Sequence, residues 1–266
     1  MRKSQMQKLK PYLDEVLSAY NHSGFIPSDP ISIPHRFSLL QDIEIAGFFA
    51  AVFAWGNRTT IINKCNELMT LMDNSPYDFI CRHKETDLKR FLHFKHRTFQ
   101  ATDLLHFIRF LHFHYHSEKS NKPMVEASLE TAFTRGLQKR DEDTGNMLRF
   151  FHHYFFSLEE SPIRTRKHIS TPENNSSCKR LNMYLRWMVR KDKNGVDFGL
   201  WKTIKPDQLV CPLDVHVQRI ACKLGLIQKE KSDWQTALEL TKNLKLLDPK
   251  DPVKYDLALF GLGVNG

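Results

Sequence analysis

Residues 212–226 read PLDVHVQRIACKLGL, and the pattern of this stretch indicates how the chain folds. Behind an aspartate at position 214, apolar residues recur at the spacing of one helical face: Val217, Ile220, Ala221 and Leu224. A glycine follows at position 225, where helices commonly stop. The stretch therefore predicts an amphipathic helix over 215–224 that begins directly after Asp214.

Asp214 has two roles open to it at this helix start. Aspartate is a favoured N-cap, and such a cap is worth ~0.5–2 kcal/mol; a carboxylate also suits the positive end of the helix dipole. Alternatively, the neighbours Pro212, Leu213 and Val215 hold the carboxylate in an apolar mouth, where it serves chemistry with a partner from elsewhere in the chain. The two roles are compatible.

Helical periodicity also dominates the rest of the 266 residues. Helices are predicted up to Tyr20 and then over 42–54, 59–72, 75–80, 100–116, 124–136, 145–158, 178–189, 233–244 and 252–262. Segment 23–35 is a loop broken by prolines, and segment 161–177 is a polar connecting loop rich in Ser, Pro and Asn. No sustained alternation of period two is present, so we predict an all-α fold that forms one globular unit over 1–266.

The charge balance favours a polyanionic partner. Lysine and arginine outnumber aspartate and glutamate by 39 to 30, which gives a formal net charge of +9. Nucleic acid is the commonest partner of such a protein, although many basic proteins bind none.

The cysteines and the apolar runs exclude several classes of protein. Five cysteines are scattered without a CxxC pair, so we expect reduced thiols and neither a zinc ribbon nor an iron–sulfur cluster. The longest apolar run, from Ile45 to Trp55, is too short to span a membrane. The charged start MRKSQMQKLK does not have the pattern of a signal peptide. We therefore expect a cytoplasmic protein with no cofactor and no membrane association.

The histidine-rich stretch HFIRFLHFHYH at 106–116 invites comparison with a metal site. His112 and His116 lie four positions apart, which suits two ligands on one helix face. No HExxH motif completes a ligand set, and the interleaved Phe and Tyr residues predict a packed aromatic face instead. We assign no metal ligand.

A candidate partner for the aspartate lies in NSSCKRLNMYLRWMVRKD at 175–192. Ser176 or Ser177 can cap a mostly apolar helix, whose first turn then holds Lys179 and Arg180. A cation at that end opposes the helix dipole at a cost of ~0.3–1 kcal/mol. This opposition favours the neutral amine, which is the form that attacks carbon. Alternatively, the lysine simply points into solvent.

Two segments resemble the helix-hairpin-helix DNA glycosylase superfamily, which includes endonuclease III. LDVHVQRIACKLGL is similar to its VDTHVxRxxxRLGL segment at Asp214, His216, Val217, Arg219, Leu224 and Gly225. SSCKRLNMYLRWM resembles the lysine-bearing helix of archaeal-type 8-oxoguanine glycosylases, in which the lysine also precedes the aspartate. Here Lys179 precedes Asp214 by 35 positions.

A third segment, DIEIAGFFAAVFAWGNRTTIINK at 42–64, is similar to the opening helix of that superfamily and the loop after it. The resemblance implies two helical lobes with a cleft between them, approximately 42–160 and 1–41 plus 178–266. The Leu-Pro-Gly-Val-Gly hairpin of the superfamily has no counterpart, and VDFGLWKTIKPDQLV stands in its place. As a whole, the chain is most similar to a family of uncharacterised bacterial proteins at the margin of the superfamily.

The resemblance implies chemistry on damaged duplex DNA. Lys179 would attack the sugar and form a Schiff base, and Asp214 would be the catalytic acid that stabilises the sugar cation. Such roles require the two side chains to lie within ~10 Å, a span that one sugar bridges. The predicted nucleic-acid contacts are Asn57, Arg58, Arg186, Arg190, His216 and Arg219. Three tryptophans are candidate walls for a base pocket or simply core residues: Trp55, Trp187 and Trp201.

The leading hypothesis is therefore a DNA glycosylase, with strand-cleaving lyase activity if the lysine is the nucleophile. One alternative is a non-catalytic nucleic-acid-binding module on the same scaffold, which the missing hairpin favours. The other is a helical protein-interaction domain in which Lys179 and Asp214 only begin helices.

Overall fold

The computed structural model describes residues 3–117, 127–228 and 230–265, and the fold is all-α as predicted. Its helices are α1 (Lys3–Tyr20), α2 (Leu40–Phe53), α3 (Arg58–Leu71), α4 (Pro76–Arg82), α5 (Ala101–Ser117), α6 (Glu130–Thr134), α7 (Gly145–Phe155), α8 (Lys179–Val189), α9 (Val215–Lys223), α10 (Trp234–Lys245) and α11 (Tyr255–Asn265). The strands β1 (Lys95–His96) and β2 (Phe99–Gln100) form a short antiparallel hairpin between α4 and α5.

The predicted helices are confirmed to within three residues at each end, apart from two differences. The helix predicted over 124–136 is observed only as α6, and residues 124–126 lie outside the described part of the chain. The loop predicted over 23–35 contains short 3₁₀ helices, because prolines start and shape single turns there without allowing a longer α-helix.

The chain divides into two compact units. We call Met1–Ile26, Leu137–Arg149 and Thr171–Gly266 the C-terminal unit, and Pro27–Gly136 and Phe150–Ser170 the central unit. These boundaries differ from the predicted lobes at residues 27–41, which belong to the central unit, and at 137–149, which belong to the C-terminal unit. The first difference has a plain cause, since the 3₁₀ helices Pro30–Ser32 and Pro34–Arg36 pack against α2.

Aromatic rings from three helices fill the core of the central unit. Phe48 of α2, Phe107 and Phe110 of α5 and Phe155 of α7 are fully buried. The ring centroids lie 5.6 Å apart for Phe48 and Phe107, and 4.7 Å apart for Phe107 and Phe155. Such offset and edge-on pairs are the favoured geometries of aromatic packing. The aromatic face predicted for the histidine-rich stretch is therefore confirmed.

One carboxylate is buried in this aromatic surrounding. Glu44 of α2 accepts hydrogen bonds from the Tyr115 hydroxyl at 3.1 Å, from the Leu129 N–H at 3.0 Å and from the Ser128 hydroxyl. Buried polar groups are costly unless they are hydrogen-bonded. These bonds therefore fix α2, the end of α5 and the segment before α6 to one another.

In the C-terminal unit, α11 packs against both α1 and α9. Two glycines of α11 allow close contact. A Cβ atom at Gly261 would lie 2.3 Å from a ring carbon of Tyr20, and one at Gly263 would lie 3.1 Å from the Cβ of His216. The glycines of this helix therefore bring the first turn of α9 close to its backbone.

None of the helices in the described ranges is both long and apolar enough to cross a membrane. All five cysteines are free thiols, and four of them are buried.

Candidate active site

Helix α8 begins at Lys179, as its sequence position predicted, but the cap differs from the prediction. The N-cap is Cys178 in the left-handed conformation, with φ 51°, rather than Ser176 or Ser177. The Ser177 side chain has a different role, since its hydroxyl donates to the Leu213 carbonyl at 3.0 Å. That bond joins the residues before α8 to those before α9.

Asp214 is the N-cap of α9, so the capping role is confirmed. Its Oδ1 atom accepts the backbone N–H groups of His216 and Val217, both at 2.9 Å. Its Oδ2 atom lies 3.7 Å from the Nζ atom of Lys179. One oxygen therefore holds the helix start while the other faces the lysine, so the cap and the pair exist together.

The Lys179–Asp214 pair is partly accessible, with each side chain 25% exposed. The separation of 3.7 Å is well inside the limit of ~10 Å that chemistry on one sugar requires. The predicted separation is confirmed, because the two helix starts are held side by side.

A buried acid lies behind the pair. Asp256 in the first turn of α11 is 5% exposed and forms an ion pair with Arg186 of α8. Burial raises the pKa of Asp256 to about 6, and the charge of Asp214 adds to this effect, whereas Arg186 and Lys179 oppose it. Asp256 therefore belongs to the same electrostatic group as the pair.

Sequence reasoning did not find Asp256, although a signal for it was present. In KYDLALFGLG the aspartate stands in an otherwise apolar helix, and in LNMYLRWMV an arginine does the same. Opposite charges in two apolar helices are typical of a buried pair, since isolated buried charges are costly.

The assignment of Arg186 and Arg190 to phosphate contacts is corrected by the structure. These residues are 4% and 2% exposed. Arg186 Nε donates to Asp197 Oδ1 at 3.2 Å, and Arg190 bonds to Asp197 Oδ2 and Asp251 Oδ2, both at 2.9 Å. Their guanidinium groups are buried against carboxylates, so they lie in the interior of the unit rather than on a surface that a phosphate can reach.

The other predicted contacts on α9 lie at the surface. His216 and Arg219 are both exposed. Arg219 donates to the Gly263 carbonyl at 2.9 Å, in the last turns of α11, where a cation is favourable. His216 contacts the pair through its backbone N–H, which donates to Asp214 Oδ1.

Asn57 and Arg58 belong to the central unit, where they start α3. Asn57 is the N-cap, with its Oδ1 atom accepting the Thr60 N–H at 3.1 Å, and Arg58 is the first helical residue. Asn57 is exposed and Arg58 is half-buried. The loop therefore has a structural role of its own, whatever it binds.

The predicted base-pocket walls divide into two groups. Trp187 and Trp201 are at most 2% exposed and are core residues, whereas Trp55 is half-buried.

The histidines at 106, 112, 114 and 116 each hydrogen-bond to a backbone carbonyl, which fixes one ring nitrogen as a donor.

Comparison with known families gives one match. A family model described as "Protein of unknown function (DUF2400)" matches residues 29–265, which include Asn57, Lys179 and Asp214. The chain belongs to the DUF2400 family. No curated protein and no solved structure matches it.

The geometry of this DUF2400 chain permits two kinds of chemistry. A carboxylate beside an amine can take the proton that the amine must lose before it attacks carbon. The same carboxylate can stabilise a positive charge that develops on a bound sugar. Both require a partly exposed pair, which Lys179 and Asp214 provide.

Proposed function

We propose that this protein is a DNA glycosylase with lyase activity, acting on damaged duplex DNA through Lys179 and Asp214. The observation that carries the proposal is the 3.7 Å separation of Nζ and Oδ2 at the starts of two helices. The sequence around both residues resembles the corresponding segments of the glycosylase superfamily. The asymmetric use of the two Asp214 oxygens supports it further, because folding occupies only Oδ1.

In the proposed reaction, the Lys179 amine forms a bond to the anomeric carbon of the sugar while the bond from that carbon to the base breaks. The base leaves with the electron pair of the broken bond and takes a proton. Asp214 stabilises the sugar cation and accepts the proton that the attacking amine loses. The ring oxygen then leaves the same carbon and is protonated, which gives the Schiff base.

The Schiff base accounts for lyase activity. It makes the neighbouring sugar carbon acidic, so that carbon loses a proton and the bond to the 3′ phosphate breaks. His216 and Arg219, exposed on the helix that Asp214 caps, are the proposed contacts to the DNA backbone in this unit. Asn57 and Arg58 are the proposed contacts in the central unit.

Borohydride trapping tests the proposal. Borohydride reduces a lysine Schiff base to a stable amine, so wild-type protein should become covalently attached to a duplex that contains an abasic or oxidised site. Lys179→Gln should abolish the product, because it removes the amine. Lys223→Gln, the same substitution at an exposed lysine of α9, is the matched control and should be trapped like wild type. Trapping of Lys179→Gln at the wild-type level would exclude Lys179 as the nucleophile.

A non-catalytic nucleic-acid-binding module is the second candidate. The observation that favours it lies between α8 and α9, where the structure shows turns and the 3₁₀ helix Pro206–Gln208 but no helical hairpin. In this case the protein should bind duplexes with an affinity that falls steeply with salt, and no trapped product should form on any lesion.

A further inference from the structure

The tip of the β1–β2 hairpin carries an arginine in an unfavourable backbone conformation. Arg97 has φ 55°, in the left-handed region. This region is costly for residues with a Cβ atom, and hairpin turns usually place Gly or Asn there. Arg97 is also exposed, so burial of its side chain does not explain its presence.

The Arg97 side chain lies over an indole ring. Its guanidinium carbon is 4.6 Å from the centroid of Trp55, within the range of a cation–π contact. Gly56, which follows Trp55 in the chain, has φ 107°, and a Cβ atom there would lie 2.2 Å from Arg97 Nη1. A glycine is therefore needed for the arginine to reach the ring.

Two polar atoms beneath the arginine are buried without a hydrogen-bond partner among the described residues. These are Nε1 of Trp55 and Nδ1 of His96, on rings whose centroids lie 5.7 Å apart. His96 Nε2 bonds to the Phe53 carbonyl at 3.1 Å, so that nitrogen is the donor. Burial lowers the pKa of His96, and the charges of Arg97 and Lys64 act in the same direction. In the neutral ring Nδ1 is therefore an acceptor, on a ring that packs edge-on against the indole of Trp55.

The indole face under an exposed guanidinium group matches the flat face of a nucleobase, and the unpaired nitrogens of Trp55 and His96 leave polar groups for a ligand to satisfy outside the stacked ring. Unpaired buried polar groups are rare in folded proteins and need an explanation such as a ligand. Bases stack on aromatic rings and on the guanidinium plane of arginine. Because the arginine is exposed, its side chain can move to admit a flat ring above the indole.

The surroundings are basic. Lys95 is exposed on β1, and Lys64 lies 5.5 Å from the Phe94 ring centroid. Arg164 donates to the Thr98 carbonyl at 3.1 Å and so lies against the hairpin tip, but it also pairs with Asp103 at 3.0 Å, and Lys64 pairs with Glu67 at 2.6 Å. Lys95 and Arg97 are therefore the exposed cations of the hairpin that can attract a phosphate backbone.

We propose that Trp55, His96 and Arg97 form a site for an unpaired nucleobase of single-stranded nucleic acid. The base stacks between the indole and the guanidinium group, and the nearby cations contact the phosphates. The inference goes beyond the proposed function, because it uses no residue of the C-terminal unit and does not require Lys179 or Asp214 to be catalytic.

The test is binding of a short oligothymidine to the full chain at about 50 mM salt, where phosphate contacts are little screened. Two readouts are used, the anisotropy of the labelled oligonucleotide and the intrinsic tryptophan fluorescence. Trp187, Trp201 and Trp234 are at most 3% exposed, so quenching by a stacked base should come from Trp55. Trp55→Phe should therefore remove the quenching signal.

Arg97→Ala should weaken binding by roughly 5- to 150-fold, the range observed when a stacking partner is lost. Arg82→Ala is the matched control, because Arg82 lies in the same unit with a side chain 75% exposed, and it should change affinity by less than about 2-fold. Arg97→Gly distinguishes loss of binding from loss of folding. It relieves the left-handed strain, so its thermal midpoint should not fall, yet it should bind as weakly as Arg97→Ala.

The result that supports the site is loss of affinity in both Arg97 variants with the control unaffected. Equal effects of Arg97→Ala and Arg82→Ala, quenching that persists in Trp55→Phe, or no binding by wild type would each overturn it. Lys223→Gln, the control of the trapping experiment, should bind the oligonucleotide as wild type does. Absence of borohydride trapping with intact binding would refute only the catalytic proposal, and trapping without oligothymidine binding would refute only this site.

Discussion

The core of the central unit is built from neutral aromatic rings, whereas the core of the C-terminal unit buries a network of ion pairs around Arg186 and Arg190. The central unit also buries two carboxylates, but Glu44 is held by neutral donors, and Arg164, which pairs with Asp103 at 3.0 Å, is itself only half-buried. Burial lowers the pKa of His106 and His112, which favours the uncharged imidazole. In the second core, Asp197 accepts hydrogen bonds from both arginines, and Asp256 and Asp251 complete the pairs.

This difference is informative because buried ion pairs are an inefficient way to stabilise a fold. Well-packed apolar residues of the same size often do as well or better. The unit that buries arginines together with carboxylates is the one that carries the partly exposed Lys179–Asp214 pair, and Asp256 links the two groups electrostatically. We infer that the buried charges set the field in which the pair works.

The largest expected effect is the loss of stability when the buried ion pairs of the C-terminal unit are disrupted. Arg186→Met should destabilise the protein by about 3–5 kcal/mol, because it leaves buried carboxylates unpaired. Phe107→Ala in the aromatic core should cost a similar ~3–5 kcal/mol by creating a cavity. Urea denaturation measures both. If Arg186→Met lost less than about 1 kcal/mol, the pairs would be dispensable and the contrast between the two cores would have no energetic meaning.

The next effect concerns the pair. Asp214→Asn keeps a side chain that caps α9, so the protein should stay folded, but the charge beside Lys179 is lost. We expect the rate of base release to fall by about 10²–10³, equivalent to roughly 2.7–4 kcal/mol of barrier. The matched control is Asp42→Asn in the central unit, where Asp42 accepts the Tyr77 N–H at 2.8 Å in a similar way. An unchanged rate in Asp214→Asn would show that Asp214 serves only as the N-cap of α9.

The pH dependence of stability sharpens the comparison. The pKa of Asp256 is raised from 3.8 to about 6 in the fold, so between these values the folded protein binds more protons than the unfolded chain. The contribution of Asp256 to stability is therefore fully present below pH ~4 and is lost as the pH rises through 6, by about 3 kcal/mol at most.

Asp256→Asn should lack this dependence. The stability difference between wild type and Asp256→Asn should shift in favour of the variant from pH 4 to pH 7, as measured by denaturation at each pH. Phe107→Ala provides the comparison from the aromatic core, and its loss should be nearly independent of pH. Parallel pH profiles for wild type and Asp256→Asn would contradict the assignment.

The smallest expected effect is the change in folding stability when the candidate nucleophile, Lys179, is replaced. Lys179→Gln loses a partly exposed ion pair, worth about 0–1 kcal/mol, but also relieves an unfavourable charge at the start of α8, worth ~0.3–1 kcal/mol. The two terms nearly cancel, so thermal unfolding should give a change within about 0.5 kcal/mol. A loss of stability as large as that of Arg186→Met would show that Lys179 stabilises the fold, as the buried arginines do, and would count against a role as nucleophile.

The helices and the pair could be predicted from the sequence because their signals are local. Three signals predict α9: Asp214, the apolar repeat after it, and Gly225. All of them lie within one short stretch of the chain. Lys179 at the start of α8 was found in the same way, and the family resemblance suggested which two helix starts to compare.

The errors have a different origin, since they depend on contacts between distant residues. Arg186 and Arg190 look like surface cations in a single helix, and only the fold brings Asp197, Asp251 and Asp256 to them. The β1–β2 hairpin has two residues in each strand, too few to show an alternating pattern. The left-handed N-cap at Cys178 likewise replaces the serine caps that local preference favours.

The hydrogen bond from Ser177 to the Leu213 carbonyl has a consequence for how the chain tolerates change. It fastens the two helix starts directly, so the separation of Lys179 and Asp214 does not depend on the length of the segment that connects them. Lys193 and Asn194 form an exposed turn in that segment, and doubling a flexible loop costs only about 0.6 kcal/mol of closure entropy. The turn is therefore a position where an insertion, such as a reporter tag or an added binding loop, should leave the geometry of the pair intact.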